Sequence, residues 1–186
     1  MNDAEVQLWW LPVGAGGHVV IHTSRWWERF HALREHRPEQ PLFHSALIVV
    51  RAGEEYVIEM APAWGRYSPS RGVVAVGPVG LRRLGGFRLF RYEVRCWRRG
   101  SLPDRRYAVG SPVVFPLADA AAESLLAHTA EVPLHTWGRP IDGSADMWNS
   151  NSLTSWLLQE AGIDAMRIDP PQGGRAPGWA AGVAAS

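Results

Sequence analysis

Apolar and polar positions change period several times along the chain, and each change marks an element. Residues 6–13 (VQLWWLPV) and 18–23 (HVVIHT) read as two strands around a GAGG turn. Residues 25–37 (RWWERFHALREHR) put Trp26, Phe30 and Leu33 at helical spacing among charges, and Pro38 and Pro41 end the run. Residues 42–50 (LFHSALIVV) and 55–61 (EYVIEMA) predict the clearest hairpin, joined by a turn containing Ala52-Gly53. A loop rich in proline and glycine follows over 62–71. Residues 72–80 and 87–97 (FRLFRYEVRCW) read as strands, and 119–131 (DAAAESLLAHTAE) as a short alanine-rich helix with Asp119 near its start. Residues 133–146 read as loop.

Residues 148–162 (WNSNSLTSWLLQEAG) carry the strongest helical signal. Leu153, Trp156, Leu157 and Ala161 recur on one side, Asn149, Ser150 or Ser152 can each cap the start, and Gly162 stands where a helix stops. Residues 169–178 (DPPQGGRAPG) predict irregular chain, and Trp179 with AAGVAAS a frayed tail. There is no internal repeat. The sum is an α+β fold, an antiparallel sheet with packed helices. It forms a single domain over 1–186 whose irregular C-terminal tail begins at about 169.

The hairpin fixes a register. An even turn pairing Arg51 with Glu54 sets Val50 opposite Glu55, Ala46 opposite Glu59 and His44 opposite Ala61. His44 and Glu59 then share a face as diagonal neighbours, roughly 7–8 Å apart at the backbone. A carboxylate there accepts the imidazole N–H and fixes its tautomer. The same pair is also what a solvated sheet face carries, and an odd turn would put Glu59 on the other face.

Composition narrows the classes. The chain has 186 residues, 46% hydrophobic and 20% charged, enough for a sizeable core. Net charge is +1, and all 19 basic residues are arginine. Nine arginines against two acids, Glu93 and Asp104, fall in residues 82–106. That pattern suits an anion-binding surface for phospholipid headgroups, nucleic acid or an acidic substrate, and equally the solvated face of an antiparallel strand. Nucleic acid is not the expected partner. Ten tryptophans fit either an apolar groove or large core fillers. Cys96 is the lone cysteine, so neither an intrachain disulfide nor a multi-cysteine zinc site is possible. It reads as a structural thiol. His18, His22, His31 and His36 lack a carboxylate or cysteine to complete a metal set, so no metal is expected. GAGG is not a phosphate loop, because no lysine follows and no helix opens after it. No signal peptide or membrane-spanning run is visible, so a cytoplasmic location is expected.

The start of the 148–162 helix is the candidate site. A first-turn side chain sits in a positive field beside free backbone N–H groups, which suits a nucleophile and its oxyanion as well as it suits a plain cap.

Taken in order, a strand beginning with His44, a paired strand carrying Glu59 and a late helix opening N-S-N-S resemble the circularly permuted papain-like hydrolases. That group includes NlpC-related bacterial proteins and lecithin retinol acyltransferase-like proteins. FHSALIVVRAGEEYVIEMA is similar to the family's histidine strand and its partner, and NSNSLTSWLL to its Asn-Cys helix start. The resemblance implies His44 as general base, Glu59 as orienting residue and Ser150 at the nucleophile position. It also implies a hydrolase or acyltransferase acting on an amide or ester bond of a small-molecule, peptide or lipid-acyl substrate, with no cofactor. The N–H groups near Ser150 and Asn151, with Asn149 shaping the site, would hold the oxyanion at about 3–4 kcal/mol per donor. The departure is serine for cysteine. A thiol there is readily ionised, whereas a hydroxyl needs its proton removed during attack. A Ser-His-Glu enzyme and a catalytically silent binding protein of the same fold both follow from it.

Overall fold

The computed structural model describes residues 4–14, 32–33, 36, 38–63, 72–100, 102, 105–171 and 173–186. The expected strand at 18–23, nearly all of the helix at 25–37 and most of the loop at 62–71 lie outside the described residues, as do His18, His22 and His31.

Six strands form one antiparallel sheet: β1 (Ala4–Pro12), β2 (Phe43–Arg51), β3 (Glu54–Pro62), β4 (Val73–Pro78), β5 (Arg91–Arg98) and β6 (Val113–Leu117). They lie in the order β4-β5-β3-β2-β1-β6. The β2–β3 turn is even, as the pattern predicted: Arg51 pairs with Glu54 and Val50 with Glu55. Ala52 and Gly53 both have left-handed φ, 50° and 77°, the two-residue geometry whose twist matches that of the flanking strands.

Both faces of the sheet are apolar. One carries Val6, Leu8, Trp10, Leu47, Val49, Ile58, Met60, Tyr92 and Val94, and packs against α1 (Asp119–His128) and α2 (Ser150–Glu160). The other carries Trp9, Leu11, Ala46, Ile48 and Val57 in a smaller cluster completed by Leu102. The seven described tryptophans are all built into these clusters, which assigns them to core filling.

Several expectations change. The strand expected from 87 begins at Arg91, because a 3-10 turn occupies Arg88–Phe90, following another over Arg82–Gly86. The loop at 133–146 contains a small hairpin, β7 (Pro140–Ile141) and β8 (Ser144–Met147), turning through Asp142-Gly143. Edge strand β6 was not anticipated; Pro116 is tolerated there because an edge leaves one side of the ladder open.

The frayed tail is instead a helix, α3 (Trp179–Ala184), laid on α2. It covers the polar side of α2, so residues 150–158 are buried all round rather than on one stripe. The approach is close enough to require glycine: a Cβ on Gly182 would stand 2.1 Å from both the Ser152 carbonyl oxygen and Ser155 Oγ. Gly182→Ala is therefore expected to push the two helices apart at a cost of about 1–3 kcal/mol, read as a lower denaturation midpoint at unchanged m-value. A midpoint equal to wild type would mean that α3 is not held on α2.

Candidate functional site

The N-S-N-S start of α2 is built as a knot. Asn149 is the N-cap, and its Oδ1 accepts from the Asn151 N–H at 2.8 Å. Ser152 Oγ accepts from the Asn149 N–H at 3.0 Å, closing the box. The side chains then reach outward. Asn151 Nδ2 donates to Phe43 O at 2.9 Å and Pro177 O at 2.8 Å, while its Oδ1 accepts from Ser45 Oγ at 2.8 Å. Asn149 Nδ2 donates to Pro177 O, Ser152 Oγ to Gly178 O and Ser155 Oγ to Trp179 O. Asp146 of β8 accepts from the Gly178 N–H at 2.7 Å. One helix turn thereby ties together β2, β8 and the segment that enters α3.

Ser150 lies inside this knot. It is 8% exposed, and its hydroxyl has no hydrogen-bond partner among the described residues. Of the oxyanion donors anticipated beside it, the Asn151 N–H is already engaged by the cap. Both flanking asparagines act as struts.

His44 and Glu59 share a face, as the register predicted, but it is not the face that α2 covers. Strand β1 pairs Leu11 with His44 and Trp10 with Ser45. Leu11 belongs to the smaller cluster with Ala46 and Ile48, and Ser45 reaches α2 through Asn151. Side chains alternate along a strand, so His44 and Ser45 point to opposite sides. The sheet stands between Ser150 and the His44–Glu59 pair, and the three residues do not form one constellation.

On that second face Glu59 belongs to an ion cluster. Arg95, directly opposite it on β5, donates Nη1 to Glu59 at 2.9 Å and Nε and Nη2 to Glu93 at 3.0 and 2.7 Å. Both bonds to Glu93 end on its Oε2, and Glu93 and Arg95 are buried, where charge-assisted hydrogen bonds are strong. The sequence reading missed Arg95 as a partner and Ser45 as the β2 residue facing the helix. A lone hydroxyl between Phe43 and Leu47 on an apolar face was the available signal.

The rest of the arginine-rich stretch divides. Arg98 and Arg99 both hold Glu54 at 2.7 Å, and Arg99 first, then Arg98, depress that carboxyl to about 2. Arg105 meets Glu55 at 3.5 Å and covers the Trp9 ring at 4.5 Å. These side chains are those of an ion-paired sheet face.

Trp148, just before α2, is fully buried, and its indole N–H makes no well-formed hydrogen bond among the described residues, although it lies near the Tyr92 hydroxyl. The His135 ring meets it edge-on at 4.9 Å. Tyr92 donates to His135 O at 2.9 Å; burial pushes its phenol up to about 12, with the Trp148 indole acting in the opposite sense. Cys96 is half-buried and its thiol is pushed up by burial, the reverse of an activated nucleophile. Among the described residues no group of three or more His, Cys, Asp or Glu is placed to hold a metal ion. No helix there is long and apolar enough to cross a membrane. Compared with protein-family models, curated proteins and solved structures, the chain matches none of them.

Proposed function

We propose that the chain is a catalytically silent protein of the permuted papain-like type that works by binding, with a peptide or a lipid acyl group as the ligand class. One observation carries the reading: Ser150 and His44 lie on opposite faces of the sheet. A serine hydroxyl needs a base within hydrogen-bond reach, and a six-stranded sheet packed on both faces is not a loop that closes on substrate. The engaged Asn151 N–H supports the same conclusion, since an oxyanion hole needs donors free to receive charge. Histidine strand β2 running beside a helix that opens Asn-Ser fits the family's order of parts, with Ser45 rather than His44 turned toward the helix.

The test is chemical. A fluorophosphonate probe is expected to leave Ser150 unlabelled in the folded wild-type chain. In Ser150→Cys the introduced thiol is expected to react with an alkylator no faster than Cys96. Labelling of Ser150 that disappears in His44→Ala would restore the Ser-His-Glu hydrolase or acyltransferase and remove the binding reading.

A further inference from the structure

Arg95, Arg98, Arg99 and Arg105 are matched to Glu54, Glu55, Glu59 and Glu93, but Arg82 and Arg83 of the preceding lobe have no such carboxylate. Arg82 and Arg83 are exposed and form no ion pair among the described residues. They share a segment with some of the most exposed apolar side chains among the described residues: Leu81 at 53%, Phe87 at 65% and Leu89 at 63%, with Phe90 also exposed. Residues 72–92 contain four arginines and no aspartate or glutamate. Exposed apolar side chains clustered in one segment with cations mark an interaction site.

The lobe is also held in place. Neither of its two 3-10 turns contains a buried residue. Yet it is braced at its base: Arg91 donates to the Gly85 and Gly86 carbonyls, Arg139 Nε donates to Gly80 O at 2.7 Å, and the Gly80 N–H donates to Trp137 O at 2.9 Å. Two of the nearby arginines thus hold the shape, and Arg82 and Arg83 are left facing solvent.

We propose that the lobe spanning Leu81 to Phe90 docks the protein on the surface of a bilayer containing anionic lipid. Phe87 and Leu89 enter the headgroup layer, and Arg82 and Arg83 lie against lipid phosphates and carboxylates. Charge complementarity selects this occupant: Arg82 and Arg83 face solvent in a stretch, residues 72–92, that holds no aspartate or glutamate, so it meets an anionic sheet without an unmatched carboxylate. Exposed apolar side chains beside solvent-facing cations suit insertion at the headgroup layer. The inference does not depend on whether Ser150 is reactive.

Vesicle flotation of the full chain tests it, with phosphatidylcholine alone and phosphatidylcholine containing phosphatidylserine. The wild type is expected to float with the phosphatidylserine vesicles, to remain behind with phosphatidylcholine alone, and to dissociate as salt is raised. Arg82→Gln with Arg83→Gln should lower the affinity by roughly 30-fold. Phe87→Ser with Leu89→Ser should abolish flotation with the net charge unchanged, which separates insertion from simple charge attraction. All four positions are exposed, so the variants should keep the wild-type circular dichroism spectrum. No flotation at low salt, equal flotation with both vesicles, or wild-type binding by either double variant would overturn the proposal. So would a concentration-dependent dimer that Phe87→Ser with Leu89→Ser dissolves while no vesicle is bound, since the patch would then be a protein interface.

Discussion

Arg95→Ala is expected to destabilise the fold by about 3–5 kcal/mol at neutral pH, the usual cost of removing one partner from a buried ion cluster. Arg95 gives three hydrogen bonds to Glu93 and Glu59 in a site where Glu93 is itself buried. Without the guanidinium, the carboxylates of Glu59 and Glu93 on adjacent strands lose the cation they share. Protonation relieves the repulsion between them, so the deficit should shrink as pH is lowered. The control is Arg95→Met with Glu59→Gln and Glu93→Gln. An uncharged set of similar volume should recover most of the loss, because the charged cluster is not expected to be strongly stabilising in net terms. Chemical denaturation of the three proteins measures both effects. A loss under about 1 kcal/mol in Arg95→Ala would mean that the cluster is solvated and its burial immaterial.

The cluster also marks where the sequence stopped being legible. Local signals carried far: Ala52-Gly53 fixed the β2–β3 register, and the alternation of 42–50 and 55–61 put His44 and Glu59 on one face. Alternation says which side chains share a face, but it does not say which face a distant helix will cover. That choice is normally read from contrast between an apolar and a polar side. In β2 the contrast is missing, because Leu47 and Val49 on one side are matched by Ala46 and Ile48 on the other. A sheet buried on both faces hides its orientation from a pattern argument.

Two other gaps have similar physical causes. Ser152 and Ser155 look like the wet side of an amphipathic helix, yet both are buried. Their partners, the Gly178 and Trp179 carbonyls, come from a segment more than twenty residues on. The tail AAGVAAS has little apolar periodicity of its own, and its helix forms because Gly182 lets it close onto α2. The Asp142-Gly143 turn was readable; the strands it joins, two and four residues long, were too short to register as a pattern.

Asn151→Ala is expected to cost about 3 kcal/mol, from two buried groups left without their partner at about 1–3 kcal/mol each. Asn151 is 2% exposed, and its side chain makes three hydrogen bonds. The alanine variant strands Ser45 Oγ and removes the donor to Phe43 O, whereas Pro177 O keeps Asn149 Nδ2. Ser45→Ala alone should cost less, because Asn151 retains both of its donated bonds. Combined with Asn151→Ala it should cost less than the sum, since the stranded hydroxyl is gone; the shortfall measures the coupling across β2 and α2. Asn151→Asp separates hydrogen bonding from packing. Its volume is nearly unchanged, but an ionised carboxylate turns an acceptor toward the Phe43 and Pro177 carbonyls, which need donors. At neutral pH it should therefore be worse than alanine. Only the protonated acid can donate, so folding raises the pKa of this introduced carboxyl above its unfolded value of about 4. The penalty is then smallest below that value and grows as pH rises toward the folded one. Denaturation midpoints for the alanine and aspartate variants from acid to neutral pH should cross. Parallel curves would mean that the donors of Asn151 contribute little, and that the N-S-N-S turn is held by the Asn149–Ser152 cap alone.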